Sequence, residues 1–289
     1  MNWGGYVMGR LFIRSMNRTE VDWAVERAAM EGWNPGLHDA AAFWAQDPEG
    51  FLIGMLDGKP IASVSAVAYE GGFGFIGFYI VDPAHRGQGY GMQLWQSAIR
   101  RLEGRTIGLD GVIEQVPNYK KSGFTLAYSN IRYEFISQPD AFHHMPGTIP
   151  ITQIPFDTIA HYDRELFQYP RTRFLRTWLH QPAGAALAMV QGGEIRGYGV
   201  VRPCRVGFKI GPLFADDQEV ADSLFRSLCA EIRQEAPVYL DVPEVNPNGI
   251  ALARSYNMEK VFGTARMYKN DQPILPTERI FGVTTFELG

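Results

Sequence analysis

Residues 81–91 read VDPAHRGQGYG, from Val81 to Gly91, with three glycines, one arginine and no acid after Asp82. An apolar run, FGFIGFYIV at residues 73–81, leads in, and an amphipathic one, MQLWQSAIRRL at residues 92–102, leads out. The first run predicts a strand. The second predicts a helix, because Met92, Trp95, Ile99 and Leu102 fall on one stripe and Gly104 follows Arg100 and Arg101 as a stop. The chain therefore passes from strand through glycines into a helix N-terminus. The first N–H groups of a helix lack internal partners, and the helix dipole adds positive potential there. Glycine keeps Cβ atoms from holding a ligand off those groups and tolerates positive φ. Arg86 adds a planar, permanently charged donor for phosphate oxygens. The loop is expected to hold a diphosphate; the plainer alternative is a tight strand–helix turn. Its spacing matches neither G-x-x-x-x-G-K-[ST] nor the Rossmann fingerprint.

The chain has 289 residues, enough for two ordinary domains or one large one. A hydrophobic fraction of 46% and a charged fraction of 20% read as globular. The formal net charge of −4 gives no general electrostatic reason to bind nucleic acid or an anionic membrane. Cys204 and Cys229 are too few for a disulfide scaffold and suit a reduced, cytoplasmic protein. No apolar stretch approaches the ~20 residues that span a bilayer, and the start, MNWGGYVMGRLFIRSM, lacks a secretory pattern. The six histidines show no metal-ligand spacing, so no metal is implied.

Around the loop, the first half reads as alternating elements. RTEVDWAVERAAMEG is a helix with Thr19 as its N-cap, and HDAAAFWAQD is a second, short one. Residues 50–81 give three strands with hairpin turns at Asp57–Gly58 and Gly71–Gly72. RTIGLDGV, PNYKKSG and FTLAYSNIRYEF then read as strand, short helix and strand. The polar, Pro-containing residues 138–150 are the expected linker. The second half repeats the scheme, with a hairpin at Gly192–Gly193 and a helix whose Val220, Leu224, Leu228 and Ile232 are in register. IGLDGVIEQ (107–115) resembles VYLDVPEVN (238–246), and FTLAYSNIRY resembles MEKVFGTARMY, which aligns Arg132 with Arg266.

Arg86-Gly87-Gln88-Gly89-Tyr90-Gly91, preceded by Ile80-Val81-Asp82-Pro83, resembles motif A of the GNAT superfamily of acyl-CoA-dependent N-acyltransferases, [RQ]-x-x-G-x-[GA]. A second family element follows at a fitting distance: Tyr119 precedes Gly123-Phe124 within a short helix. EGWNPG, NYKKSGF, TARMY and the closing IFGVTTFELG resemble stretches of tandem acetyltransferases with a second GNAT-like half. The resemblance implies an α/β fold of two GNAT-like domains in tandem, each a mostly antiparallel mixed sheet flanked by helices. Residues 10–137 would form the catalytic domain and 151–289 a degenerate one. It implies that backbone groups at Ile80 and Val81 bind the pantetheine arm, with the Val81 amide polarising the thioester carbonyl. The amides of Gly87, Gln88, Gly89, Tyr90 and Gly91 would cradle the pyrophosphate. Tyr119 would protonate the departing thiolate, a role that its position favours over the plainer one of a tyrosine half-buried beneath the Gly-Phe turn.

The pre-loop strand, residues 73–81, carries no carboxylate where many GNAT enzymes place a base. Asp110, Glu114 and water stay open as bases. Trp33 either stacks on substrate or anchors its loop. In the second half, GPLFADDQEVADSL replaces the glycine comb, Asp216 and Asp217 stand at the helix start, and Ala253 matches Tyr119, so one active site is expected. The last segment, RIFGVTTFELG, is a candidate to complete the first half's sheet. The implied function is transfer of acetyl from acetyl-CoA to a primary amine by direct attack, with a small-molecule acceptor. The rival readings are a CoA-binding sensor and a protein lysine or N-terminal acetyltransferase.

Overall fold

The computed structural model describes residues 11–289; the expected start of the first half at residue 10, and most of the start read for a secretory pattern, lie outside them. Both halves run through one order of elements. The first has β1 (Phe12–Ser15), α1 (Arg18–Met30), α2 (Asp39–Gln46), β2 (Phe51–Leu56), β3 (Lys59–Tyr69), β4 (Phe73–Val81), α3 (Tyr90–Arg101), β5 (Thr106–Val112), α4 (Val116–Lys121) and β6 (Thr125–Ser137). The second has β7 (Thr148–Pro150), α5 (Phe156–Phe167), α6 (Thr172–Trp178), β8 (Ala185–Gln191), β9 (Glu194–Pro203), β10 (Phe208–Ala215), α7 (Gln218–Ala230), β11 (Ala236–Pro243), α8 (Pro247–Ser255) and β12 (Glu259–Lys269). A short β13 (Ile280–Gly282) and a tail to Gly289 follow.

Local chemistry sets most of these boundaries. The hairpins turn where two successive residues adopt positive φ: Asp57 and Gly58, Gly71 and Gly72, Gly192 and Gly193. The cap of α1 is Asn17, not Thr19. The Asn17 side chain accepts from the Glu20 amide (3.0 Å) while the Glu20 carboxylate accepts from the Asn17 amide (2.8 Å), a reciprocal box that Thr19 cannot close. The buried stripe at α3 is Leu94, Trp95, Ala98 and Leu102; Ile99 is half-buried and Met92 exposed.

The described residues form one 13-stranded sheet, ordered β1-β2-β3-β4-β5-β12-β6-β11-β10-β9-β8-β7, with β13 paired to β10. Each half gives its last long strand to the other. β12 pairs antiparallel with β5, Thr264 opposite Val112 through Lys269 opposite Ile107. β6 pairs antiparallel with β11, Asn130 opposite Pro243 through Ser137 opposite Ala236. The segment that completes the first half's sheet is therefore β12, and not the closing RIFGVTTFELG, whose β13 joins the second half.

Two buried ion pairs fix this exchange. Arg132 of β6 donates to both Asp241 oxygens (2.7 and 2.8 Å) on the neighbouring β11. Arg266 of β12 donates to both Asp110 oxygens (2.8 and 2.6 Å) on the neighbouring β5. The residues aligned by the internal similarity are thus the ones that cross between halves. Helix α2 packs on its counterpart α6, where Phe43 stacks on Trp178 at 6.1 Å. One apolar cluster, including Phe43, Phe78, Trp178 and Phe286, spans both halves.

Removing one partner of a buried ion pair strands the other. Asp241→Ala is expected to cost about 3–5 kcal/mol in urea unfolding, and Asp241→Leu combined with Arg132→Met less than either single change. A single-variant loss under ~1 kcal/mol would refute the pairs as the lock.

Candidate active site

The site begins where two parallel strands part. β4 and β5 pair from Phe73 opposite Thr106 only as far as Ile76 opposite Leu109. There β4 bulges: its register against β3 shifts between Ser63 and Ser65, and Phe78 sits at φ 47°. A left-handed phenylalanine is strained and persists because its ring is buried against Phe43 and Phe51. Beyond the bulge the strands diverge around a cavity of about 480 Å³.

Of the site residues singled out in the sequence, the cavity is lined by Trp33, Ile80, Val81, Arg86, Gly87, Gly89, Gly91, Asp110 and Tyr119. Gln88 and Tyr90 stand outside its lining. The Gln88 side chain donates from Nε2 to the Ala84 carbonyl (3.0 Å), and Tyr90 is buried in the core cluster beneath α3. The three loop glycines serve two needs. Gly87 and Gly89 have φ of 75° and 80° with open space around them, so backbone shape alone requires glycine; Gly89 is the left-handed N-cap of α3. At Gly91 a Cβ would lie 2.7 Å from the Tyr79 hydroxyl and 3.0 Å from Val81 Cγ2. Arg86 is already engaged, donating from Nε to the Val81 carbonyl (2.8 Å) and pairing with Glu31 just past α1.

Tyr119 is held by an aromatic tier: Trp95 lies 5.5 Å from its ring, 5.2 Å from Tyr79 and 5.8 Å from Phe124, and the Trp95 indole donates to Ser122 (3.1 Å). The ring also lies against Gly111 of β5, which leaves no room for a Cβ. Burial, with a smaller push from Tyr79, moves the Tyr119 phenol up to about 12. It stays protonated at neutral pH.

Both Asp110 oxygens are bonded to Arg266, and Asn130 adds a further donor (2.8 Å), so this acid serves structure. Glu114 is exposed on a turn outside the cavity lining. Trp33 is half-buried; it lines the cavity and also packs on the core, and its carbonyl accepts from Arg132 (2.9 Å) and Lys209 (3.3 Å). Sequence reading missed the second half's share of the lining: Phe262 and Thr264 of β12, and Phe286 and Glu287 of the tail. The acid inside the otherwise apolar FELG was the available signal.

A family model for the acetyltransferase (GNAT) family matches residues 18–124, and one for an acetyltransferase (GNAT) domain matches residues 159–282. A holothin acyltransferase from Pseudoalteromonas sp. (strain SANK 73390) is 34% identical over 272 residues, 93% of this chain and 92% of the relative. The chain belongs to the GNAT acetyltransferase family. It is a tandem acyl-CoA N-acyltransferase. An uncharacterized N-acetyltransferase, YitH of Bacillus subtilis (strain 168), is 26% identical over 58% of this chain and 60% of its own length. In fold, a candidate acetyltransferase from Pyrococcus horikoshii covers 100% of this chain and 99% of its own, with TM-score 0.81 and 22% identity. A tandem GNAT protein from the clavulanic acid biosynthesis pathway covers 91% and 99%, with TM-score 0.63 and 14% identity. Among the described residues no helix is long and apolar enough to cross a membrane.

The second GNAT half has the same parting of strands and a different occupant. β10 and β11 pair only from Phe208 opposite Val238 to Ile210 opposite Leu240. β13 then lies against both: Leu213 faces Gly282, Phe214 faces Ile280, and the Val283 amide donates to the Asp241 carbonyl (2.8 Å). At the start of α7, Asp217 accepts from the Val220 amide (2.9 Å), and Asp216 pairs with Arg196 and Arg279 (both 2.7 Å). Carboxylates stand where the first half has its glycine comb.

The two reasons for glycine separate experimentally. Gly89→Ala is expected to cost about 1 kcal/mol for backbone shape, and Gly91→Ala about 1–3 kcal/mol because Tyr79 or α3 must shift. Thermal melts that rank them the other way would contradict the packing role of Gly91.

Proposed function

We propose that the first half transfers acetyl from acetyl-CoA to a primary amine of a small molecule by direct attack on the thioester. The observation carrying this reading is the opening between β4 and β5, which runs from the bulge at Phe78 to the glycine loop with Tyr119 on its wall. Backbone groups of Ile80 and Val81 are free of β5 and would pair with the pantetheine arm, the Val81 amide polarising the thioester carbonyl. The amides of Gly87 through Gly91, with Gln88 and Tyr90 contributing backbone only, would receive the diphosphate at the start of α3. Arg86 would exchange Glu31 for a phosphate oxygen. Tyr119, protonated throughout the neutral range, would donate to the sulfur as the C–S bond breaks.

A small acceptor is supported by the contribution of both halves to the cavity walls, Trp33 and Phe262 among them, and by the relative named as acting on holothin. A peptide lysine would call for an open acidic groove instead. The sensor reading is tested by turnover. β13 in the second opening supports a single acetyl-CoA site per chain.

A thiol-release screen of acetyl-CoA with varied amines should find turnover, and Tyr119→Phe should lower kcat by about 10²-fold or more with acetyl-CoA affinity unchanged. Full activity in that variant would remove Tyr119 as the acid. With the phenol at about 12, wild-type kcat/KM should show no loss from its ionisation below about pH 11. Glu31→Gln frees Arg86 from an exposed ion pair and should tighten acetyl-CoA binding by up to about fivefold in calorimetry.

A further inference from the structure

We infer that Glu287, carried on the C-terminal tail, is the general base that takes the proton from the attacking amine in the first half's site. The inference rests on the acetyl-transfer reading above and supplies the group that β4 lacks. β4 has glycine at residue 77, and the main chain at Glu287 packs directly on it, leaving no space for a Cβ. Gly77 follows Ile76, the last β4 residue paired with β5, so Glu287 stands where the strands begin to part.

Glu287 is 4% exposed and lines the cavity. Among the described residues no donor is bonded to its carboxylate. The neighbouring acids are all engaged: Asp110 with Arg266, Glu31 with Arg86, Asp241 with Arg132, and Asp39 with Arg202. Its oxygens are not sealed from solvent, so they stand unpaired at the cavity. The tail around it is firmly held. The Thr285 hydroxyl accepts from the amides of Glu287 (3.2 Å) and Leu288 (2.9 Å), the Leu288 carbonyl accepts from the Tyr69 hydroxyl (2.8 Å), and the Phe286 ring lies 4.9 Å beneath the Arg132 guanidinium.

The charged groups that act on it come from four elements: Lys209 of β10, Asp39 of α2, Arg132 of β6 and Arg202 of β9. Arg132 and Arg202 are matched by Asp241 and Asp39, which leaves Lys209 facing Glu287 without a direct ion pair among the described residues. Burial pushes the Glu287 carboxyl above the ordinary glutamate range, with Lys209 opposing. That brings it nearer to neutral pH, where a base works best.

The step balances as follows. The neutral amine's lone pair forms the C–N bond at the thioester carbonyl carbon, and its nitrogen proton passes to Glu287. The C–S bond breaks, and the sulfur takes the Tyr119 proton. Water then carries the proton from Glu287 and restores that of Tyr119, giving one amide and one thiol.

Glu287→Gln and Glu287→Asp should be compared with wild type for acetyl-CoA affinity, melting temperature and the pH dependence of kcat/KM with one accepted amine. Wild-type kcat/KM should rise with pH through ionisation of Glu287. Glu287→Gln should bind acetyl-CoA as wild type does, lose about 10²-fold or more at neutral pH, and lack the limb that ionisation of Glu287 gives to wild type. Glu287→Asp should be slower but keep the acidic limb, and it decides the matter if the glutamine variant does not fold. Either variant within threefold of wild type with an unchanged profile, or Glu287→Asp without the limb, overturns the assignment while wild-type turnover keeps the acetyl-transfer reading. A wild type that neither binds acetyl-CoA nor releases thiol overturns both.

Discussion

Two buried arginine–aspartate pairs, Arg132 with Asp241 and Arg266 with Asp110, are the constraint on which the structure depends. Each joins neighbouring strands from opposite halves, so neither half can satisfy its own buried charge. A hydrophobic replacement would fill the same volume without fixing which strand lies next to which; a bidentate guanidinium–carboxylate fork tolerates no shift of one residue. The pairs therefore act on register and partner choice more than on net stability, since desolvation offsets much of their attraction. With β12 locked beside β5, Phe262 and Thr264 become walls of the cavity. Arg132 also holds the Trp33 carbonyl, which connects the loop between α1 and α2 to the same lock.

The two openings in the sheet have opposite contents for local reasons. Both arise because parallel strands separate after a few pairs. In the first half the space meets glycines and a helix N-terminus. In the second it meets a strand from the same chain and two aspartates. The chain that closes one opening runs on to the other: from β13 beside β10, the tail reaches Gly77, Tyr69 and Phe75 of the first half.

What could be read from the sequence was what depends on near neighbours. Double positive-φ turns announced three hairpins, and the glycine comb before an amphipathic run announced the loop at α3. The paired similarities aligned Arg132 with Arg266, and Asp216–Asp217 marked the altered second site. What escaped depends on distance along the chain. Whether β6 and β12 pair within or between halves leaves the hydrophobic pattern unchanged, because either arrangement buries the same faces. Asn17 prevailed over Thr19 through a reciprocal bond three residues away, a margin too fine for periodicity. Gly111 reads as an ordinary strand glycine until the Tyr119 ring lies on it. Glu287 joins the cavity only through folding that brings the tail to Gly77.

The exchange of strands also bears on synthesis. Asp110 and Arg266 are 156 residues apart in the chain. Until β12 has been made, β5 is an open edge on which Asp110 waits without its arginine. Such an edge invites pairing with foreign strands. Neither half can finish its sheet from its own strands, and a chain halted before β12 would be left without a finished half.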